Sequence, residues 1–111
     1  MRRVVYRAAA LRDLANIATY IAKESGSLAT AETFIKKLTA HCEHIASLPV
    51  LIGRPRPELR TGYRSITYGN YVIFLRYEDV ADKAAGVIIG NIIHGRRDLD
   101  AYFAGRPDDS D

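Results

Sequence analysis

The fold of this 111-residue chain is decided by one central stretch, Tyr63-Arg64-Ser65-Ile66-Thr67-Tyr68-Gly69-Asn70-Tyr71-Val72-Ile73-Phe74-Leu75-Arg76-Tyr77-Glu78-Asp79. Two runs rich in β-branched and aromatic residues flank Gly69-Asn70, a pair that tolerates the positive φ angles of a two-residue hairpin turn. A turn is predicted at 79–83, and Val87 to His94 then forms another strand. This last strand is apolar at nearly every position, so we expect it mid-sheet with both neighbours paired. The sequence thus predicts a three-stranded antiparallel meander.

Two amphipathic helices are predicted before the meander. The first spans 8–24 and ends at Ser25-Gly26, since glycine suits the left-handed position beyond a helix. The second spans about 28–47, with Ser27 as its N-cap and Pro49 as its stop. Because the connection is so short, the two should form an antiparallel helical hairpin. Spacings of three and four predict the apolar faces Leu11, Leu14, Ala18, Ile21 and Ala22, and Leu28, Ala31, Ile35, Leu38, Cys42 and Ile45.

The two ends of the chain and the middle loop complete the predicted architecture. Residues 2–6 read as a short strand, and 49–62 read as a loop because they hold three prolines and two glycines. Helices grouped before a meander predict an α+β fold, with the hairpin on one face of an antiparallel sheet. We expect one domain over 1–105 and a disordered acidic tail over 106–111.

Charge and cysteine content limit the function classes. The chain carries 16 basic and 13 acidic residues, a formal charge of +3, and three of the acids lie within Asp108–Asp111. The body is therefore more basic than the whole, which suits a phosphate backbone, an acidic protein partner, or simply a soluble basic surface. The single cysteine, Cys42, excludes an intrachain disulfide and fits a reducing cytoplasm. We expect neither a signal peptide nor a membrane span.

Residues with catalytic or metal-binding chemistry do not form a convincing site. His41, Cys42 and His44 are close in sequence, but zinc needs three or four converging ligands and no distant partner cluster exists. Ser65 has no glycine-flanked elbow, and Cys42 and His44 point to different helix faces. The glycines do not form a phosphate-binding loop that opens a helix. We therefore expect no metal, no cofactor and no nucleophilic catalytic residue.

Arginines and one histidine are the more informative polar residues. The arginines concentrate in the loop and the later strands: Arg54, Arg56, Arg60, Arg64, Arg76, Arg96 and Arg97. They suit either a shared surface for carboxylate or phosphate groups, or an ordinary solvated surface. His94 ends an apolar strand, where it is either a general acid/base between arginines or a structural hydrogen-bonding group. The residues alone leave both alternatives open.

The order and spacing of several short motifs resemble the ParE branch of the RelE/ParE toxins, the toxic halves of bacterial toxin–antitoxin pairs. The resemblance extends to about Phe103. It rests on Leu11-Arg12-Asp13-Leu14-Ala15, Leu48-Pro49, Leu59-Arg60, Tyr63-Arg64-Ser65-Ile66, Tyr71-Val72-Ile73-Phe74, Arg76-Tyr77 and Ile93-His94-Gly95-Arg96-Arg97-Asp98-Leu99.

The resemblance implies a non-catalytic protein that inhibits DNA gyrase by binding and thereby blocks replication. It also implies a ParD-like antitoxin that forms a hetero-oligomer with the toxin, and a curved antiparallel sheet whose first strand lies beside the last. No sequence-specific nucleic-acid binding is expected of the toxin alone. We expect gyrase contact at Arg96, Arg97, Tyr102 and Phe103, and antitoxin contact or a role in the sheet structure at Arg60, Arg64, Arg76 and Tyr77.

Two alternatives remain within this superfamily. RelE-like members cut mRNA on the ribosome, and here the nearest catalytic candidates are Arg60, Arg64, Arg76, His94 and Tyr102. We expect no cleavage, because the strand Val87 to Ile93 offers mainly apolar side chains and because Asp98 and Asp100 put negative charge near the phosphate position. The second alternative is a chain that keeps the fold and has lost its toxicity.

Overall fold

The chain folds into a five-stranded sheet with two long helices and one short one. The computed structural model describes residues 2–80, 83–97 and 99–104. Its elements are β1 (Val4–Tyr6), α1 (Ala8–Ser25), α2 (Leu28–Ser47), β2 (Arg54–Pro55), β3 (Arg64–Tyr68), β4 (Tyr71–Val80), β5 (Lys83–His94) and α3 (Leu99–Phe103). The predicted α+β class, the helical hairpin and the β3–β4–β5 meander are confirmed. The predicted acidic tail at 106–111 and the aspartate at 98 lie outside the described residues.

The helix ends follow from local chemistry, as predicted. Gly26 has a φ of 71° and donates its N–H to the Ala22 carbonyl at 2.9 Å, which closes α1. The Ser27 hydroxyl accepts the Thr30 N–H at 3.1 Å at the start of α2. Leu48 is extended before Pro49, as the residue before a proline prefers. No helix of the described residues is long and apolar enough to cross a bilayer.

The sheet has the order β1-β5-β4-β3-β2, so β5 lies between two paired neighbours as predicted. The expectation of a wholly antiparallel sheet is wrong, because β1 pairs with β5 in parallel, with Val4 beside Val87 and Tyr6 beside Ile89. The reason is β2, a two-residue strand that pairs antiparallel with β3 inside the segment predicted to be a loop. It adds one reversal of chain direction, which is enough to turn β5 parallel to β1. The strands β4 and β5 also extend into the segment 79–83 that was predicted to be a turn.

The main core lies between the helical hairpin and one face of the sheet. Its innermost side chains are Leu38 of α2, Ile73 and Leu75 of β4, and Val87 and Ile89 of β5. Burial of apolar surface of this kind is the dominant stabilising term in a small domain.

Two residues of the predicted apolar helix faces are not buried in the core. Leu11 and Leu28 are exposed. On α1 the predicted Leu14 and Ile21 do pack against the core, and Ala10 and Ile17, which were not predicted, are buried there. Leu28 is the first residue of α2, beside the connection between the helices. The periodicity therefore located each helix correctly but misplaced part of its buried face.

Candidate functional site

The face of the sheet that is turned away from the hairpin carries a second apolar cluster. Because side chains alternate along β4, Phe74 points away from the core face to which Ile73 and Leu75 belong. We call Tyr63, Phe74, Ile93 and Phe103 the C-terminal cluster, since α3 supplies its outer layer. Leu59, Val72, Leu99 and Tyr102 pack around it.

Aromatic rings hold the C-terminal cluster together. The Tyr63 and Phe74 rings stack with centroids 5.9 Å apart, and Phe103 meets Phe74 edge-on at 5.2 Å. Tyr102 meets Phe103 edge-on at 5.1 Å. Edge-to-face contacts at these separations are favourable for aromatic pairs. They fix α3 against the sheet, and α3 in turn covers this face.

A row of hydrogen bonds between polar side chains crosses the C-terminal cluster. The Tyr63 hydroxyl donates to Asn91 Oδ1 at 2.7 Å, and Asn91 Nδ2 donates to the Tyr102 hydroxyl at 3.5 Å. The Tyr63 hydroxyl rests on Gly90, where a Cβ would overlap it. The sequence reading missed these roles. The available signal was Gly90-Asn91, the glycine and the only polar side chain inside the run Val87–Ile93.

Asp13 of α1 forms a hydrogen bond with β5 that was not predicted from the sequence. Its carboxylate accepts the N–H of Ile92 at 2.8 Å. Hydrogen bonds between a carboxylate and a backbone N–H are among the stronger kind in proteins. The first helix is thereby tied to the strand just before the turn that carries the candidate arginines.

The turn after β5 is held in a defined shape by backbone and histidine contacts. Gly95 donates its N–H to the Asn70 carbonyl at 2.8 Å, and Arg97 donates its N–H to the His94 carbonyl at 3.0 Å. His94 Nδ1 accepts the Arg96 N–H at 3.1 Å, and the His94 ring meets Tyr71 edge-on. The geometry therefore gives His94 a structural use. The turn presents Arg96 and Arg97 on the surface, where both are exposed.

Three of the four residues predicted to contact the target, Arg97, Tyr102 and Phe103, lie together at α3, although they differ in exposure. Arg96 instead lines a surface pocket beside the β3–β4 turn, with Gly69 and Asn70. The Arg97 guanidinium lies 5.2 Å from the centre of the Tyr102 ring, a cation–π arrangement. Phe103 is only 7% exposed, so it positions α3 rather than offering surface. Arg60, predicted for the antitoxin, joins this group because its guanidinium lies 5.0 Å from the Phe103 ring centre.

The other residues predicted to contact the antitoxin are divided between the two faces of the sheet. Arg64 and Tyr77 lie on the hairpin side, where both hydrogen-bond to the backbone of Ile52. Arg76 lies on the opposite side and pairs with Glu78 at 3.2 Å. The structure therefore does not bring the four together into one surface.

Residues considered for metal or acid–base chemistry do not converge within the part of the chain that the structure describes. His41 packs on the Tyr68 ring at 5.0 Å, Cys42 is buried, and His44 is exposed. No group of three metal-ligating side chains is found within residues 2–80, 83–97 and 99–104. The carboxyl group of Glu58 has its pKa lowered by the hydrogen bond from Arg56, which is an ordinary surface ion pair.

The buried thiol leads to a prediction for alkaline pH. Burial raises the pKa of Cys42 to about 11 from an ordinary 9.0. The unfolded chain therefore loses this proton first, and stability should fall from pH 9 to pH 11 by up to about 1.4 kcal/mol per pH unit. Burial also raises the pKa values of Tyr6 and Tyr71 above 10.0, which extends the fall beyond pH 10.

Urea denaturation at pH 8 to 11 measures this effect, with Cys42→Ala as the control. The variant should lose the part of the fall in stability that begins near pH 9. It should keep a reduced tyrosine part above pH 10, because burial and, to a lesser extent, Cys42 both raise the pKa of Tyr6. Identical pH profiles for both proteins would contradict the assignment to Cys42.

Comparison with known proteins supplies the family. Residues 4–99 match the family model described as the ParE toxin of the type II toxin–antitoxin system parDE. No curated protein matches the chain significantly. Among the described elements, the match covers α1, α2, the five strands and the connection from β5 to the first residue of α3. The chain therefore belongs to the ParE toxin family, the toxin components of type II toxin–antitoxin pairs.

Proposed function

We propose that this toxin inhibits DNA gyrase in the cytoplasm by binding to it, and that a ParD-like antitoxin neutralises it. The proposal rests on the turn after β5, where Arg96 and Arg97 are both exposed and Arg97 lies over the half-buried Tyr102 ring. Arginine and tyrosine are enriched among the residues that dominate binding energy at protein interfaces. The hydrogen bonds of His94 and Gly95 hold this turn in shape before any partner arrives, which reduces the ordering cost of binding.

The alternative of RNA cleavage is less well supported by the geometry. General acid–base catalysis and phosphorane stabilisation require their groups to converge on one phosphate. The nearest candidates are divided, with Arg64 and His94 on the hairpin side and Arg60, Arg76 and Tyr102 on the other. The C-terminal cluster and α3 also occupy the centre of that second face. A binding mechanism needs no such convergence.

The second part of the proposal concerns the side chains that the antitoxin presents to the toxin. Family membership implies an antitoxin partner. We propose that it presents acidic and apolar side chains, and that its carboxylates meet Arg60 and Arg76, which both lie on the face of the sheet turned away from the hairpin. Arg64 and Tyr77 already hydrogen-bond to the backbone of Ile52 in the toxin's own loop, so we expect them to support the structure around the sheet rather than to contact the antitoxin.

A charge-reversal experiment tests the gyrase proposal. Arg96→Glu/Arg97→Glu should raise the toxin concentration needed for half-inhibition of supercoiling at least about tenfold, since interface arginines are common hot spots. Lys36→Glu/Lys37→Glu is the matched control, because it changes the net charge equally at exposed positions on α2. The control should inhibit like the wild type.

Three outcomes of this assay are informative. Equal loss in both variants would mean that net charge matters and that this turn does not. Full inhibition by the arginine variant would also remove the turn from the interface. A wild-type toxin that never inhibits gyrase would contradict the proposed function itself.

A further inference from the structure

The loop between α2 and β2 exposes an unusual run of apolar residues. Pro49, Val50 and Leu51 are all exposed, Val50 to 55% and Leu51 to 52%. Single exposed apolar side chains are normal, but three in succession cost solubility and are generally kept only for function. We call Pro49-Val50-Leu51 the apolar loop.

The apolar loop is fixed at both ends by side chains from other elements. Before it, Arg2 Nη1 donates to the Leu48 carbonyl at 3.2 Å. After it, the Ile52 N–H donates to the Tyr77 hydroxyl at 3.0 Å, and Arg64 Nε donates to the Ile52 carbonyl at 3.0 Å. Both backbone groups of Ile52 are therefore satisfied by side chains of the sheet.

Further contacts tighten this arrangement. Arg64 Nη2 also donates to the Gly53 carbonyl at 2.9 Å, and the Arg2 guanidinium lies 4.9 Å from the Tyr77 ring centre. Gly53 has a φ of 101°, and a Cβ there would lie 3.0 Å from the Ser65 carbonyl oxygen. Only glycine suits such a backbone position pressed against a neighbouring strand. The loop is thus preorganised, which lowers the entropic cost of using it in a complex.

The charge around the apolar loop indicates what kind of partner it fits. The segment 49–58 holds Arg54, Arg56 and Glu58, a net charge of +1; Arg56 pairs with Glu58 at 2.8 Å, and Arg54, the residue nearer the loop, is exposed. An apolar tip with a basic flank complements an apolar recess whose rim carries carboxylates. Exposed side chains on a rigid loop suit a recess that exists beforehand in a folded protein. A disordered antitoxin segment that folds on binding needs the reverse, a groove on the toxin.

We propose that the apolar loop is a second contact by which the toxin engages gyrase, inserting Val50 and Leu51 into an apolar recess of the enzyme. This inference rests on the proposed function. It assigns Arg2, Arg64 and Tyr77 as positioning residues, since they act on the partner only through the loop they hold.

The test compares two pairs of exposed apolar residues. Val50→Ser/Leu51→Ser should raise the toxin concentration for half-inhibition of gyrase supercoiling at least about tenfold, the effect of losing a small apolar hot spot. Leu11→Ser/Leu28→Ser is the matched control, because these leucines are 55% and 69% exposed on the helices. For the control, the concentration for half-inhibition should stay within about twofold of the wild-type value, because surface substitutions usually have weak effects. Val50→Ala/Leu51→Ala repeats the test with a smaller change, and circular dichroism checks that every variant is folded.

A fourth variant probes how the loop is positioned without altering Val50 or Leu51. Tyr77→Phe removes the acceptor for the Ile52 N–H and leaves Val50 and Leu51 in place. We expect faster amide hydrogen exchange at Ile52 and a smaller loss of gyrase inhibition than in the serine pair.

The outcomes distinguish a failure of this inference from a failure of the proposed function. If the wild type inhibits gyrase and the serine pair inhibits equally well, the loop is not a gyrase contact and the proposed function stands. If the serine pair loses affinity for purified antitoxin and keeps gyrase inhibition, the surface belongs to the antitoxin and the inference is overturned. If the wild type does not inhibit gyrase, both fall together.

Discussion

Phe74→Ala is expected to lower the free energy of unfolding by about 3–5 kcal/mol, the usual cost of removing a buried phenylalanine. Phe74 is fully buried at the centre of the C-terminal cluster, between the Tyr63 and Phe103 rings. Its removal leaves a cavity that the paired strands β3, β4 and β5 cannot close. Domains of this size are stable by about 5–15 kcal/mol, so the loss is a large fraction of the total. Urea denaturation followed by circular dichroism measures it.

The same substitution should loosen α3 before the rest of the protein unfolds. Phe103 loses its edge-on partner, so the Tyr102 and Phe103 amides should exchange hydrogen faster than those of β4. Phe34→Ala is the matched control, because Phe34 is a partly buried residue on the hairpin side that meets Tyr68 and Tyr71. We expect the control to cost less and to leave exchange in α3 unchanged. A loss below about 1 kcal/mol for Phe74→Ala would contradict this description of the cluster.

Gly90→Ala should cause the next largest loss in the free energy of unfolding, although it adds only one methyl group. The new Cβ would occupy the position of the Tyr63 hydroxyl. Tyr63 must then move, which separates it from Asn91 Oδ1 and disturbs its stacking on Phe74. Overpacking costs about 1–3 kcal/mol, and leaving a buried polar group unpaired costs about 1–3 kcal/mol more. Thermal and urea unfolding both report the change.

A double-mutant cycle identifies the cause of that loss. Tyr63→Phe alone should destabilise by about 1–3 kcal/mol, because Asn91 loses its hydroxyl partner. Combined with Gly90→Ala it should recover part of the stability, since the atom nearest the new methyl group is absent. If the two single losses simply add, the contact between Tyr63 and Gly90 is not what makes glycine necessary here.

Features set by neighbouring residues in sequence could be predicted well. The Ser27 cap, the Gly26 terminus and the Gly69-Asn70 turn each depend on a few consecutive residues. The central position of β5 followed from its continuous apolar character, because only a strand with both neighbours paired tolerates it.

Features that depend on contacts between residues distant in sequence could not be predicted. The strand β2 has two residues, one of them Pro55, and no pattern of that length is recognisable. Missing it also reversed the predicted direction of β1 relative to β5. The exposure of Leu11 and Leu28 has the same origin, because periodicity gives the spacing of a helix face but not which elements cover it.

The candidate site was only partly predictable for the same reason. The motif at 93–99 pointed to Arg96 and Arg97, and the structure places both on the surface. Nothing in the local sequence indicated that Arg64 and Tyr77 hydrogen-bond to Ile52, because those contacts cross 12 and 25 residues of chain. The family match, rather than charge or periodicity, identifies the chain as a toxin.

We propose that this toxin acts by binding gyrase and not by breaking a phosphodiester bond. One preparation of purified toxin, free of antitoxin, should be assayed in parallel for gyrase supercoiling and for mRNA cleavage on translating ribosomes. We predict that supercoiling stops at toxin concentrations comparable to that of gyrase and that the transcripts stay intact. Cleaved transcripts with supercoiling unchanged would contradict the account.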